Sequence, residues 1–360
     1  MHQEVSIVEG PRKARRKQGL LSTTLLLTLV FTLILTACGS NSSNSNASEQ
    51  PSSAQATQEN NAPETSTPDV QEEQTRQVKH EYGESTIPAH PKRIVSIGLE
   101  DILLSLDVPL VQAFSSDGYY LDKQLKEKGI ATNNSFDINV EAIMSADPDL
   151  IIINKYVTDE QGYEKLSKVA PTIGYIRDDW QQSLKDIGVA LGKEEQAGAV
   201  LKTYQDKLSQ AKASIVQAVG ENKTVAFIRP TTKNVELDFP EWSWTSVLYN
   251  DLGLKPDAKV LEFQKNTEDT WGGTMLSTEA LPQLTADYLF LDYGASLSNE
   301  DDFKQQVAQS EEVEKLNVWK AIPAVKNGQA HKVSARHWAL SGPIADSLKV
   351  DDVLQALQIK

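Results

Sequence analysis

Short aliphatic runs alternate along this chain with segments whose apolar residues recur every three or four positions. Arg93-Ile-Val-Ser-Ile97 reads as a buried strand, and Asp101-Ile-Leu-Leu-Ser-Leu106 as the helix after it. Leu150-Ile-Ile-Ile153 is unbroken, the pattern expected of a strand covered on both faces. Residues 172–176, 224–228, 288–291 and 330–333 continue the series. Strands alternating with helices predict an α/β fold with parallel central sheets. Between the two sets lies one long segment, Glu194 to Val219. Its residues Ala197, Val200, Leu201, Tyr204, Leu208, Ala211, Ile215 and Val219 share one helical face. Such a helix is roughly 40 Å long, enough to run between two lobes.

An internal echo supports two lobes. Asn139-Val-Glu-Ala-Ile-Met-Ser-Ala-Asp-Pro-Asp-Leu-Ile-Ile-Ile153 aligns without gaps on Ser277-Thr-Glu-Ala-Leu-Pro-Gln-Leu-Thr-Ala-Asp-Tyr-Leu-Phe-Leu291. Each copy reads as a capped helix followed by a buried strand, with Asn139 and Ser277 as N-caps. Glu141 and Glu279 fall in the first turns, where a carboxylate favours the helix dipole by about 0.3–1 kcal/mol.

The N-terminus carries a different pattern. Arg12, Lys13, Arg15, Arg16 and Lys17 precede an uncharged apolar run from Leu20 to Ala37, the layout of an export signal. The run is almost long enough to span a bilayer, so a retained anchor is the alternative. Leu35-Thr36-Ala37-Cys38-Gly39 resembles the lipobox of bacterial lipoproteins, which implies that Cys38 is acylated and begins the mature chain. Cys38 is the only cysteine, which excludes an internal disulfide and a Cys-based metal site. Residues 39–77 are rich in Ser, Asn, Gln, Pro, Thr and Glu and nearly lack large apolar side chains, the composition of a disordered tether. The expected organisation is a lipoprotein signal peptide over 1–37, lipidated cysteine and tether over 38–77, and an N-terminal lobe over 78–193. The interlobe helix then covers 194–219 and a C-terminal lobe 220–360. A long tether after a lipidated cysteine points to the extracellular face of a Gram-positive cell membrane.

Without residues 1–37 the chain carries 30 Lys and Arg against 48 Asp and Glu, a net −18. That balance argues against nucleic-acid binding, which needs a basic footprint.

In open α/β sheets ligands bind beyond the carboxyl ends of strands. The residues there are Gly98-Leu99-Glu100, Asn154-Lys155-Tyr156 and Arg177, then Arg229-Pro230, Asp292-Tyr293 and Arg336-His337-Trp338. Trp242 and Trp244 follow in the loop after Arg229. This set is basic and aromatic in an acidic chain. Arginine's planar fork suits carboxylate or hydroxamate oxygens, and aromatic walls suit the apolar arms of a chelator. The expected ligand contacts are Arg177, Arg229, Arg336, Tyr156, Tyr293, Trp242, Trp244, His337 and Trp338. For each arginine an ordinary ion pair is the alternative. For His337 the choices are metal ligation, a hydrogen bond to the ligand, or packing, and Tyr293 carries the same alternatives.

Arg93-Ile-Val-Ser-Ile97, the Glu141 segment through Asp149, the Glu279 segment through Asp287 and Trp319-Lys-Ala-Ile-Pro-Ala-Val-Lys-Asn-Gly328 occur here in one order. From about Ile94 to the C-terminus the chain resembles the periplasmic-binding-protein family for iron–siderophores, cobalamin and haem. The resemblance implies two α/β lobes joined by one rigid helix, with ligand held between them. It also implies that Glu141 and Glu279 dock onto arginines of an ABC permease dimer. Residues 225–230 and 246–253 look most like the hydroxamate and citrate–hydroxamate binders, with ferric citrate, catecholates, cobalamin and haem as alternatives. A related branch binds bare Zn²⁺ or Mn²⁺, but His80, His90, His331 and His337 form no ligand cluster in the sequence. No nucleophile elbow, P-loop, dinucleotide fingerprint or His-Glu-x-x-His motif points to catalysis. An adhesin or scaffold leaves the basic and aromatic strand ends unexplained. The expectation is a monomeric, membrane-anchored receptor for a ferric siderophore, not an enzyme, with no cofactor or resident metal, a preformed cleft and little lobe closure.

Overall fold

The computed structural model describes residues 75–359 apart from 136, 232, 269 and 270. The export segment, Cys38 and the tether up to residue 74 lie outside the described residues. The chain first forms an antiparallel hairpin, β1 (Thr75–His80) and β2 (Gly83–Pro88), which buries Val78 and Ile87. It begins at Thr75, inside the stretch read as tether, because burial of Val78 and Ile87 is not visible in a composition average.

The first lobe is a five-stranded sheet in the order β5-β4-β3-β6-β7, parallel throughout. Its strands are β3 (Ile94–Ile97), β4 (Leu110–Phe114), β5 (Ala131–Asn133), β6 (Leu150–Asn154) and β7 (Thr172–Tyr175). Ile94, Leu150 and Ile152 pack on one face, and Val95, Ile97, Ile151 and Ile153 on the other. Both faces are covered, which is why these runs carry no polar alternation.

The second lobe contains β8 (Thr224–Pro230), β9 (Asn234–Asp238), β10 (Lys255–Pro256), β11 (Gly273–Ser277), β12 (Tyr288–Tyr293) and β13 (Ala330–Ser334), in the order β11-β9-β8-β12-β13. Strands β8, β12 and β13 are parallel, as the aliphatic runs predict. Only three residues separate β9 from the end of β8, too few for a crossover, and β9 pairs with it antiparallel; β11 is antiparallel to β9. This sheet is therefore mixed rather than wholly parallel.

The helix Glu194–Val219 joins the lobes. The eight residues of its apolar face pack into one hydrophobic core that runs through both lobes, from Ile152 and Tyr175 to Phe227 and Phe290. The C-terminal helix Pro343–Ala356 adds Ala345, Val350 and Val353 to that core. The echoed segments differ in detail. Helix Val140–Ser145 is capped by Asn139, whose Oδ1 accepts from the Ala142 N–H at 3.0 Å. Its counterpart Thr278–Gln283 is a 3₁₀ turn, and Ser277 makes no side-chain cap. Pro282 within it has no N–H to donate to a helical ladder. The overall fold is nonetheless the expected pair of α/β lobes on one long helix.

Candidate functional site

At the carboxyl ends of the first sheet, Gly98 adopts φ +81° and turns the chain from β3 into Glu100. A Cβ at Gly98 would meet the Asn154 Cβ at 3.1 Å, so the turn is held close to β6. Glu100 is buried, and its Oε1 accepts from the backbone N–H groups of Gly98 at 2.8 Å and Phe114 at 3.1 Å. Burial raises its pKa, and those amides and the Arg177 charge act against the rise. Asn154 Oδ1 accepts from the Arg177 backbone N–H at 3.2 Å and anchors the turn Arg177–Asp179. The Arg177 side chain is 23% exposed, and its nearest carboxylate, Asp178, lies 3.9 Å away. Its guanidinium donates no hydrogen bond among the described residues, and Nε is buried without a partner. Tyr156 sits half-buried in the neighbouring turn Lys155–Val157, while Lys155 Nζ lies 3.3 Å above the Tyr82 ring.

In the second lobe Arg229 of β8 is 8% exposed between two strands that each offer it a carboxylate. Its Nε donates to Asp292 Oδ2 of β12 at 3.0 Å, Nη2 donates to the same oxygen, and Nη1 pairs with Glu236 of β9 at 3.2 Å. Glu236 is its cross-strand partner, and fully buried Asp238 lies two residues on. Burial works against the Arg229 charge, but Asp292, Glu236 and Asp238 outweigh it and raise its pKa. Burial also raises Glu236, and it lifts Asp238 well above the usual carboxylate range with help from the Glu236 charge. The Trp244 ring lies 5.2 Å from the Arg229 guanidinium carbon. Trp242 packs edge-on against Trp244 at 5.3 Å and Trp271 at 6.0 Å, and its ring lies where any Cβ at Gly272 would be. Trp271 remains 42% exposed.

The other expected contacts are placed differently. Arg336 pairs with Glu300, lies 4.0 Å over Phe303, and rests against Gly118 of the first lobe, where a Cβ would collide with its guanidinium. His337 Nε2 and the Trp338 indole N–H both bond Asp352, each at 2.7 Å. The structure puts Trp338 in the core rather than on a wall: it is fully buried and stacked on Phe227 at 5.1 Å. Tyr293 is also buried, with its hydroxyl donating to Glu314. Among the described residues no group of three or more His, Cys, Asp or Glu is arranged to hold a metal ion.

Two sets of contacts join the lobes. Ser116 Oγ donates to the Leu297 carbonyl beside the Arg336–Gly118 contact. Trp180 Nε1 donates to Asp346 at 2.6 Å, Asp346 pairs with fully buried Lys349 at 2.9 Å, and Lys349 reaches the Trp244 carbonyl at 3.5 Å. The second chain runs from Trp180, the first residue of the helix Trp180–Leu191, to the backbone of Trp244. A polar cavity of about 590 Å³ is lined by Gln112, Ser115 and Asn133 of the first lobe and by Ser298, Asn299 and Glu300 of the second. Sequence reasoning missed Asp101, which bridges to the C-terminal helix: its carboxylate accepts from Ile344 and Ala345 N–H groups and from Tyr120 Oη, each at 2.8 Å. The Gly342-Pro343 start of that helix was the available signal. Glu141 and Glu279 are exposed, one on each lobe.

The periplasmic binding protein family model matches residues 101–333. A probable siderophore-binding lipoprotein of Bacillus subtilis is 30% identical over 91% of this chain and 95% of its own length. The iron(3+)-hydroxamate-binding protein FhuD of the same organism is 30% identical over 78% of this chain and 85% of its own. Among solved structures, Staphylococcus aureus SirA complexed with staphyloferrin B superimposes with a TM-score of 0.64. It is 28% identical, covering 79% of this chain and 99% of that one.

Proposed function

Because the chain belongs to the periplasmic binding protein family, we propose that it captures a ferric siderophore between its lobes and delivers it to an ABC importer. Two observations support this: the Arg177 guanidinium, whose buried Nε has no hydrogen-bond partner among the described residues, stands at the carboxyl end of the first sheet, and the Trp242–Trp244–Trp271 cluster packs beside Arg229 of the second. Guanidinium donors meet chelating oxygens, and indole faces cover an organic scaffold. The protein contributes binding and no catalysis. Cys38 carries the lipid that holds it at the outer face of a membrane, and one copy serves one permease dimer. Glu141 and Glu279 dock on basic residues of that permease. The names of the relatives above support the cargo and the anchor.

The test is a tryptophan-fluorescence titration of the detergent-solubilised full chain with ferric siderophores. Saturable quenching at or below micromolar concentration is expected. Glu141→Ala and Glu279→Ala should leave the quenching curve unchanged while abolishing iron uptake by cells. Absence of quenching by every siderophore would sink the proposal.

A further inference from the structure

We propose that Tyr82, at the tip of the N-terminal hairpin, is a positioning residue for ligand capture: it holds the turn Lys155–Val157 in the conformation that meets the ligand. The proposal rests on the siderophore reading and adds to it a residue that belongs to neither lobe's sheet.

Ligands bind beyond the carboxyl ends of strands in open α/β sheets, and this turn follows β6 directly, with half-buried Tyr156 at its centre. A single 3₁₀ turn has poor internal hydrogen-bond geometry, so contacts from outside fix its shape. Val157 rests on Gly98, where a Cβ would lie 3.2 Å from Val157 Cγ1. The Tyr82 hydroxyl lies 3.0 Å from the Lys155 carbonyl and 3.1 Å from the Thr158 carbonyl, so its one proton serves both ends of the turn. Lys155 Nζ sits over the same ring, which adds a cation–π contact. Burial, then the charges of Glu160 and Asp159, push the Tyr82 pKa up to about 12, so the hydroxyl stays a donor at neutral pH.

Tyr82 is itself firmly seated. Its ring stacks on Tyr163 with centroids 4.2 Å apart and lies against Gly174 of β7, where a Cβ would come within 2.7 Å of it. Its backbone N–H donates to His80 Nδ1 at 3.2 Å, and the Glu81 N–H donates to the Gly174 carbonyl at 2.9 Å. At the far end of the hairpin the Arg76 guanidinium donates to the Val189 carbonyl at 3.1 Å and the Ala89 carbonyl at 3.2 Å. A hairpin that only covered apolar surface would need Val78 and Ile87. It would not need a hydroxyl aimed at two carbonyls of a turn at the ligand end of the sheet.

The test uses the detergent-solubilised full chain and tryptophan fluorescence, with a ferric trihydroxamate, ferric citrate and a ferric tricatecholate as probes. The tightest binder then serves for the variants. Tyr82→Phe keeps the ring and removes the hydroxyl, and it should raise the Kd by about 5-fold or more. In a Tyr156→Ala background the same change should cost no more than about two-fold, because the hydroxyl acts through the turn. Hydrogen exchange of the Val157 and Thr158 amides in unliganded Tyr82→Phe should be faster, with the β6 amides of Ile151 and Ile152 unchanged. A Tyr82→Phe variant within about two-fold of the unmodified protein overturns the proposal. So does an equal loss in both backgrounds, which would make Tyr82 a support of the fold alone. No binding by any probe overturns the siderophore reading itself, and the role of Tyr82 with it.

Discussion

Arg229 shows how a side chain's partners decide its role. Buried between β9 and β12, it is the counter-charge for Glu236 and Asp292, with Asp238 alongside. Removing one partner of a buried ion pair typically costs about 3–5 kcal/mol, since the other charge stays buried. Arg229→Met should therefore lower unfolding stability by about 3 kcal/mol or more in urea titrations. Adding Asp292→Asn should recover part of the loss, because the two residues are coupled. A variant as stable as the unmodified protein would show the cluster to be energetically idle. The sequence reading placed Arg229 at a strand's carboxyl end, which is correct, and expected its fork to face a ligand. The carboxylates that engage it come from neighbouring strands, and cross-strand register is not visible in a single sequence. Tyr293 and Trp338 were misread on the same ground. Both follow strand ends, but Glu314 and Asp352, far along the chain, draw them inward. Arg177 differs because Asn154 of a neighbouring strand end holds its backbone, while among the described residues no carboxylate accepts a hydrogen bond from its guanidinium.

At the scale of elements, the N-terminus of helix Pro343–Ala356 rests on the Asp101 carboxylate, and Gly342 admits that contact because a Cβ would collide with it. Burial raises the Asp101 pKa from 3.8 to about 6, against the pull of the Ile344 and Ala345 amides and Tyr120. The folded protein thus holds this proton more tightly than the unfolded chain does. Its contribution to stability is greatest below about pH 4 and is lost as pH rises through about 6. Asp101→Asn removes the titration. The stability of the unmodified protein relative to this variant should fall by roughly 3 kcal/mol between pH 4 and 7. Urea unfolding of both at several pH values measures it, and a pH-independent difference contradicts it. Element legibility followed physical strength. The aliphatic runs of β3, β6 and β8 and the eight-residue stripe of the long helix declared themselves, since burial on both faces or along one stripe leaves no alternative. β4 carries Gln112 mid-strand, β5 spans only Ala131–Asn133, and β9 and β11 interleave polar residues. Their pairing is set by tertiary contact, which local pattern does not contain.

Across the whole molecule, a single core threads both lobes along Glu194–Val219, and the Trp180–Asp346 bond, the Asp101 contacts with Ile344 and Ala345 and the Arg336–Gly118 contact tie the lobes together. Large closure would have to break that packing, so the proposed mode of capture uses a preformed site. Pre-organisation of this kind limits the ordering cost of binding. In the docking proposed above, the same stiffness would fix the spacing of Glu141 and Glu279, which lie exposed one on each lobe. The most direct test of this account is to locate the iron. Crystals grown with a ferric trihydroxamate, measured at the iron absorption edge, should show one anomalous peak between Arg177 and Trp244. A peak in the cavity beside Gln112 and Glu300, or outside the interlobe junction, would contradict it.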